Sequence, residues 1–145
     1  MAARFYFTRN RPEDLISVTG RMIYGEERVT SPVVIDTGAT HTIFDLNLLL
    51  MHGFHPTRKT PVVSVGTAGG VIQAYLTELS TLTCIGLERN CFPIMAYDFL
   101  LKGTVEPYGG MIGLDFLENH KISIDLKHQY IQMILSEDTD MKEST

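Results

Sequence analysis

One short polar segment combines residue types that are suited to acid–base chemistry. Asp36, Thr37, Gly38 and Ala39 directly follow the apolar run 33–35, and Asp-Thr-Gly occurs only once in the 145 residues. A carboxylate at the end of a buried strand can serve as a general acid or a general base. The alternative is a strand that simply ends in an Asp- and Gly-containing turn, which is a routine way to reverse the chain. The surrounding sequence decides between these two interpretations.

The composition is that of an ordinary globular protein. With 44% hydrophobic and 20% charged residues, we predict a single domain over residues 1–135, followed by a flexible acidic tail over 136–145. The formal net charge of −5 argues against nucleic acid or an anionic membrane as a partner. We find neither a membrane-length apolar stretch nor the apolar core of a signal peptide, so we expect a cytoplasmic protein.

The cysteine and histidine residues do not follow a metal-binding pattern. Two Cys and five His show neither Cys-x-x-Cys nor His-Glu-x-x-His spacing, so we expect no metal site. Cys84 and Cys91 flank a predicted turn centred between Leu87 and Glu88, which would place the thiols opposite each other and make a disulfide sterically conceivable. In a reducing cytosol, the favoured interpretation is two small buried side chains.

Short β-like runs separated by glycines dominate the sequence. Asp45 is placed to cap a first helix over 46–52, with Gly53 as its C-terminal stop, and a second short helix is expected over 114–119. The predicted strands are 5–8, 15–24, 29–35, 61–65, 71–82, 91–96, 111–112, 122–126 and 130–135. We therefore predict an all-β fold with one or two short helices.

Four segments, in this order, resemble the retropepsin-like aspartic proteases, the homodimeric single-domain relatives of pepsin. They are the turn 36–39, a glycine-rich hairpin at 64–75, an apolar-apolar-Gly element at 110–113, and the helix 114–119 that follows it. The resemblance covers about two thirds of the chain, from about Val33 to about Leu126. It implies a closed β-barrel that is active as a homodimer and hydrolyses peptide bonds in extended polypeptide segments.

The resemblance also implies a role for each residue of the turn. Asp36 and its counterpart in a second identical subunit would share one proton, because two carboxylates about 3 Å apart cannot both ionise. This dyad would activate a water as general base and protonate the peptide as general acid, without a cofactor. Thr37 would bond across the two-fold axis, Gly38 would permit the tight turn, and Ala39 would form the floor of the cleft.

The glycine-rich hairpin is the candidate substrate-binding flap. A hairpin that opens for a polypeptide and closes over it needs a mobile tip. Gly66, Thr67, Ala68, Gly69 and Gly70 form this tip, about 30 residues after the turn. Their backbone amides could bind substrate carbonyls, whereas the alternative is an ordinary glycine-rich loop.

One departure from the family pattern concerns the dimer. Viral members often carry an acidic residue two positions after the glycine of the turn and an arginine after the apolar-apolar-Gly element, and these form an ion pair that braces the dimer. Thr40 and Leu114 occupy the two positions here. Strands 121–126 and 130–135 are then the candidates for bracing the dimer, because edge strands pair readily. The departure favours a non-viral type of relative.

Other residues near these segments have simpler interpretations. His41 could line a subsite, but we expect a solvated loop residue. Asp115 is expected to interact favourably with the start of the second helix. Pro107 and Tyr108 are weak subsite candidates, with a surface turn as the alternative.

The sequence is also compatible with two other functions. The first is a non-catalytic dimeric scaffold or peptide-binding module with the same fold, against which the intact Asp-Thr-Gly sequence argues. The second is an unrelated β-barrel ligand binder, in which Asp36 is merely a turn residue. Monomeric behaviour at high concentration would favour the second.

Overall fold

The protein is described by a computed structural model over residues 3–67, 69–102 and 108–134. These residues form ten β-strands, two short α-helices and one 3₁₀ turn. The strands are β1 (Arg4–Tyr6), β2 (Ser17–Tyr24), β3 (Glu27–Ile35), β4 (Ile43–Asp45), β5 (Val62–Thr67), β6 (Gly70–Cys84), β7 (Leu87–Tyr97), β8 (Gly110–Ile112), β9 (Lys121–Asp125) and β10 (Tyr130–Ile134). The helices are α1 (Leu46–Met51) and α2 (Leu114–Leu117), and the 3₁₀ turn is Phe99–Lys102.

Six of the strands close into a barrel. Their order is β2-β3-β8-β4-β7-β6, and β6 pairs back onto β2 to complete the circle, while β5 extends the sheet from β6. The β2–β6 pairing runs from Gly20↔Cys84 to Ile23↔Thr81. Closure leaves few free edges in the barrel itself. The mainly β, closed-barrel fold expected from the sequence is confirmed.

Strand β8 lies between the two strands that flank the segment 36–42. It pairs in parallel with β3, from Val33↔Gly110 to Ile35↔Ile112. It also pairs antiparallel with β4, through Ile43↔Met111. The chain entering and leaving segment 36–42 is therefore hydrogen-bonded to one common strand.

The core lies inside the barrel and extends under α2. Strand β2 alternates buried and exposed residues, as expected for a strand with one solvated face. The rings of Phe92 and Phe116 meet edge to face at 5.6 Å between centroids. Among the residues with essentially no exposure are Val33, Phe44, Leu49, Leu79, Leu82, Ile94, Ile112, Phe116 and Ile131. Each such side chain contributes about 1.5–3 kcal/mol relative to its exposed state.

A second sheet of three strands packs against the barrel in the order β1-β10-β9. Ile131 pairs with both Phe5 and Ile124, and these apolar side chains belong to or pack against the core. Within the part of the chain that the structure describes, the outer edge of β9 has no partner strand. This edge is open to pairing with another chain.

Several local predictions are confirmed and several are wrong. Asp45 caps α1, its side chain accepting a hydrogen bond from the Asn47 N–H at 3.2 Å. The prediction missed the three-residue strand β4 and the 3₁₀ turn, which are too short for a periodic pattern. Helix α2 ends at Leu117, earlier than the predicted residue 119, and Asn119 adopts a positive φ of 64°. The predicted acidic tail lies outside the described residues.

The predicted position of the β6–β7 turn was wrong. Ile85 and Gly86 form the turn, with φ values of 46° and 78°, because Cys84 pairs directly with Leu87. Two consecutive positive φ values are typical of the tight turn that suits a twisted hairpin. The thiols are consequently not opposite each other. Both are free; Cys84 is buried, as expected, whereas Cys91 is exposed.

None of the helices in the described ranges has the length and apolar character needed to cross a membrane.

Candidate active site

The turn that follows β3 holds the Asp36 carboxylate in a defined orientation. The Gly38 N–H donates to Asp36 Oδ1 at 2.9 Å, and the Ala39 N–H donates to the Asp36 carbonyl at 3.1 Å. A Cβ on Gly38 would lie 3.2 Å from the same Oδ1, tighter than most Cβ contacts. Glycine therefore lets the backbone wrap closely around the carboxylate. Asp36 is partly buried, while Thr37 and Gly38 are exposed.

The apolar-apolar-Gly element lies directly beneath this turn. The Asp36 N–H donates to the Ile112 carbonyl at 2.9 Å, and the Leu114 N–H donates to the Ala39 carbonyl at 2.8 Å. Gly113 sits between these two contacts. The element therefore contacts the loop that carries Asp36 on both sides of Gly113.

A buried hydrogen-bond network that the sequence analysis missed joins the end of this loop to α2. Thr42 is fully buried, and its hydroxyl donates to Asp115 Oδ1 at 2.7 Å. Its N–H donates to Asp115 Oδ2 at 3.1 Å. The Gly113 N–H donates to Thr42 Oγ1 at 3.1 Å. Asp115 does lie in the first turn of α2, but its carboxylate also has this second, more specific role.

Arg89 on β7 holds the other end of α2. Its guanidinium donates to the Phe116 carbonyl at 3.1 Å and 2.8 Å, through Nε and Nη2, and to the Glu118 carbonyl at 2.8 Å. These carbonyls belong to the last turn of a helix, where they lack partners within the helix. An arginine from a distant strand therefore caps α2, and no local sequence signal marks it.

A cleft of about 630 Å³ opens beside the turn. Thr37 and Leu114 both line this cleft. Thr37 is exposed, and Leu114 is 45% exposed. His41 is also exposed and its ring shares a hydrogen bond with Thr40 Oγ1 at 2.8 Å, which agrees with a solvated loop residue. The lining residues are Thr37, Thr40, His41, Leu114, Asp115, Leu117, Glu118, Asn119, His120 and Ile122.

The glycine-rich segment forms the hairpin that the sequence predicted. Strands β5 and β6 pair from Val62↔Tyr75 to Thr67↔Gly70, and the Thr67 hydroxyl donates to the Gly70 carbonyl at 2.7 Å. Gly70 has a φ of 119°. Gly66, Thr67, Gly69 and Gly70 are exposed, whereas Ala68 lies outside the described residues. The role of this hairpin as a flap stays a prediction.

The weaker subsite candidates are only partly described. Pro107 lies outside the described residues. Tyr108 is partly buried, and its ring meets Phe99 at 6.2 Å between centroids. Among the residues that the structure describes, no group of three or more Cys, His, Asp or Glu side chains could hold a metal ion.

Comparison with known proteins assigns the family. A family model described as "Aspartyl protease" matches residues 19–116, which is more than half of the chain. The chain belongs to the aspartyl protease family. The match contains the Asp36 turn, the β5–β6 hairpin, the apolar-apolar-Gly element and the first three residues of α2. Membership supports a protease-type function of the hydrolase class.

A solved structure identifies the fold of this aspartyl protease family member. The crystal structure of a retropepsin-like aspartic protease from Rickettsia conorii is similar to this chain with a TM-score of 0.59 and 16% sequence identity. The similarity covers 92% of this chain and 91% of that chain. The fold is therefore retropepsin-like. A search of curated proteins found no match.

Proposed function

We propose that the protein is a homodimeric aspartic endopeptidase that hydrolyses peptide bonds in extended polypeptide segments. The observation that carries the proposal is the Asp36 carboxylate, oriented by the Gly38 N–H at 2.9 Å in a member of the aspartyl protease family. Each chain has one Asp-Thr-Gly sequence, so a two-carboxylate site needs the Asp36 of a second identical subunit. Thr37 and Ala39 complete the proposed active-site turn.

The proposed reaction uses the two carboxylates in opposite protonation states. The ionised carboxylate takes a proton from a water, whose oxygen attacks the peptide carbonyl carbon. The protonated carboxylate gives its proton to the carbonyl oxygen, which yields a tetrahedral intermediate. The carboxyl group that took the water proton then gives it to the nitrogen, while a hydroxyl of the intermediate returns a proton to the other carboxylate. The C–N bond breaks and releases a carboxylic acid and an amine. The pair ends with one shared proton, as it began, and neither a metal nor a cofactor takes part.

The proposed subunit contact is the face that carries Thr37, Leu114 and the edge of β9. Thr37 and Leu114 are exposed on the single chain, and Ile122 of β9 lines the same cleft as both. A free strand edge offers unpaired backbone groups to another chain. Pairing at β9 would supply the bracing that the ion pair between an acidic residue and an arginine supplies in viral members, since Thr40 and Leu114 occupy those two positions here.

The β5–β6 hairpin would close over the bound polypeptide. Its tip, the segment Gly66, Thr67, Ala68, Gly69 and Gly70, would present backbone amides to substrate carbonyls. A polypeptide is the expected substrate, and the net charge of −5 supports neither nucleic acid nor an anionic membrane as a partner. We expect the enzyme to act in the cytoplasm.

The test is hydrolysis of denatured casein at mildly acidic pH by the purified protein and by Asp36→Asn. An asparagine keeps an oxygen acceptor for the Gly38 N–H but cannot exchange the proton, so we expect a folded, dimeric and inactive variant. A statine-type inhibitor should block the parent protein, because its hydroxyl occupies the position between the two carboxylates. EDTA and serine- or cysteine-directed reagents should have no effect.

Three results would contradict the proposal. Substantial hydrolysis by Asp36→Asn would remove Asp36 from the reaction. Loss of hydrolysis in EDTA would indicate a metal-dependent reaction. A stable dimer that cleaves no denatured protein at any pH would instead favour the scaffold or peptide-binding alternative.

A further inference from the structure

We infer that Thr42 and Asp115 are positioning residues that hold the Asp36 loop in its reactive geometry, an inference that rests on the proposed function. Neither side chain belongs to the Asp-Thr-Gly-Ala turn. They lie 73 positions apart in sequence and are joined by two hydrogen bonds of 2.7 Å and 3.1 Å. One of the two, Thr42, has no exposed surface.

Thr42 uses every polar group that it has. Its N–H and O–H both donate to Asp115, and its hydroxyl oxygen accepts from the Gly113 N–H. Its carbonyl accepts from the Met95 N–H at 3.1 Å. A single buried residue thus joins β7, the end of β8 and the first turn of α2, and losing any one bond would leave a buried polar group without a partner.

The carboxylate of Asp115 is suited to this junction because it has two acceptor oxygens. Thr42 presents two donors side by side, its N–H and its O–H, and each reaches a different oxygen of Asp115. An asparagine offers one acceptor oxygen and an NH₂ group, so one of the two Thr42 donors would lose its acceptor. An alanine would leave both Thr42 donors without their acceptors.

The hydrogen bonds of Thr42 act on Asp36 through the loop 36–42, which joins these two residues. The Asp36 N–H is bonded to Ile112 at the start of the loop, and Ala39 is bonded to Leu114 in its middle. Thr42 makes the contact at its end. The Asp115 N–H also donates to the Thr40 carbonyl at 3.3 Å. Segment 112–115 therefore contacts the loop from its start to its end, and of these contacts only those at Thr42 depend on side chains.

Helix α2 cannot keep this position by itself. It has four residues, far fewer than an isolated helix needs for stability. Asp115 ties its first turn to the loop, and Arg89 ties its last turn to β7. The loop and the helix therefore hold each other in place. This matters for the proposed reaction because a shift of about 1 Å at a reacting group can lower a rate about a hundredfold.

The experiment compares four variants of the full chain by kcat, KM and melting temperature. Thr42→Val removes the hydroxyl at nearly constant shape, and Thr42→Ser keeps it. Asp115→Asn removes one of the two oxygens that accept from Thr42. Thr81→Val is the matched control, because it also removes a threonine hydroxyl bond, to Asn90 Oδ1 at 3.1 Å, but on β6. We expect kcat to fall about 10- to 100-fold in Thr42→Val and less in Asp115→Asn. KM should change less than about threefold in both, and Thr42→Ser and Thr81→Val should stay near the parent.

Hydrogen–deuterium exchange of the segment 36–42 provides a readout that does not need activity. Faster exchange of this segment in Thr42→Val and Asp115→Asn, but not in Thr81→Val, would support the inference. Unchanged exchange together with a parental kcat in either Thr42→Val or Asp115→Asn would overturn it. If Thr42→Val does not fold, Asp115→Asn decides alone. If the parent protein has no activity, the proposed function fails, and the exchange data still decide whether these two residues order the loop.

Discussion

Gly113 lies directly beneath the backbone of His41. A Cβ at position 113 would come within 2.6 Å of the His41 carbonyl oxygen and 2.8 Å of the Ala39 carbonyl oxygen. Both atoms belong to the backbone of the loop that carries Asp36, so they cannot rotate away as a side chain can. The glycine of the apolar-apolar-Gly element is therefore required by the close passage of one chain segment beneath another.

We expect Gly113→Ala to destabilise the protein by about 1–3 kcal/mol, the usual cost of forcing extra volume into a packed site. Hydrolysis should fall as well, because the atoms displaced are those of the Asp36 loop. Urea denaturation measures the stability, with Gly66→Ala as the control, since a Cβ at position 66 meets no atom within 4 Å. Equal stability of Gly113→Ala and the parent would contradict the close passage.

Thr37 is exposed on the single chain, and the proposed dimer would bury its hydroxyl between the two turns. Thr37→Ala should raise the dimer dissociation constant about tenfold or more, because a buried hydrogen bond between the subunits disappears. Activity should fall in parallel. Thr37→Ser keeps the hydroxyl and serves as the matched control. Sedimentation analysis that finds the same dissociation constant for Thr37→Ala and Thr37→Ser would show that the turns do not meet through this residue.

The hairpin tip offers a pair of neighbouring glycines with different backbone conformations. Gly70 has a φ of 119°, whereas Gly69 does not have a φ in this left-handed range. A β-branched residue strongly disfavours positive φ, so Gly70→Val should lower turnover more than Gly69→Val if the tip must move over a substrate. The described tip residues are exposed and bury little apolar surface, so the melting temperature should fall far less than turnover in both variants. Parental turnover in both variants would rule out a gating flap.

The two cysteines should differ sharply in reactivity. Burial raises the pKa of the Cys84 thiol to about 12, so almost no reactive thiolate forms there at pH 8. Cys91 is exposed. A thiol-specific reagent should therefore modify one cysteine in the native protein and two after denaturation, and none in native Cys91→Ser. Two rapidly modified thiols in the native parent would contradict the burial of Cys84.

Local sequence patterns predicted those features whose cause is local. Asp45 lies one position before an apolar run and caps α1 as expected. The glycine-rich segment between two β-like runs forms a hairpin, and Asp36 follows a buried strand. In each case the residues that determine the conformation are neighbours in sequence, so their types and order are sufficient.

The position of the β6–β7 turn shows where local patterns stop being sufficient. The sequence predicted a turn centred between Leu87 and Glu88, midway between the two cysteines. The barrel instead buries Cys84 and Ile85, and the register with β2 places Cys84 opposite Gly20. Packing across the closed barrel therefore set the turn two residues earlier, although that places Ile85 at an unfavourable positive φ.

The chain's own sequence determined the Asp-Thr-Gly turn and the mainly β character, because both follow from residue type and short-range order. Only the tertiary structure decided what supports that turn. Thr42 meets Asp115, and Arg89 meets the carbonyl of Phe116, because β8 passes between β3 and β4 and carries α2 beneath the loop. Such pairs depend on which strands become neighbours when the barrel closes, and no local spacing between residues 42 and 115 carries that information.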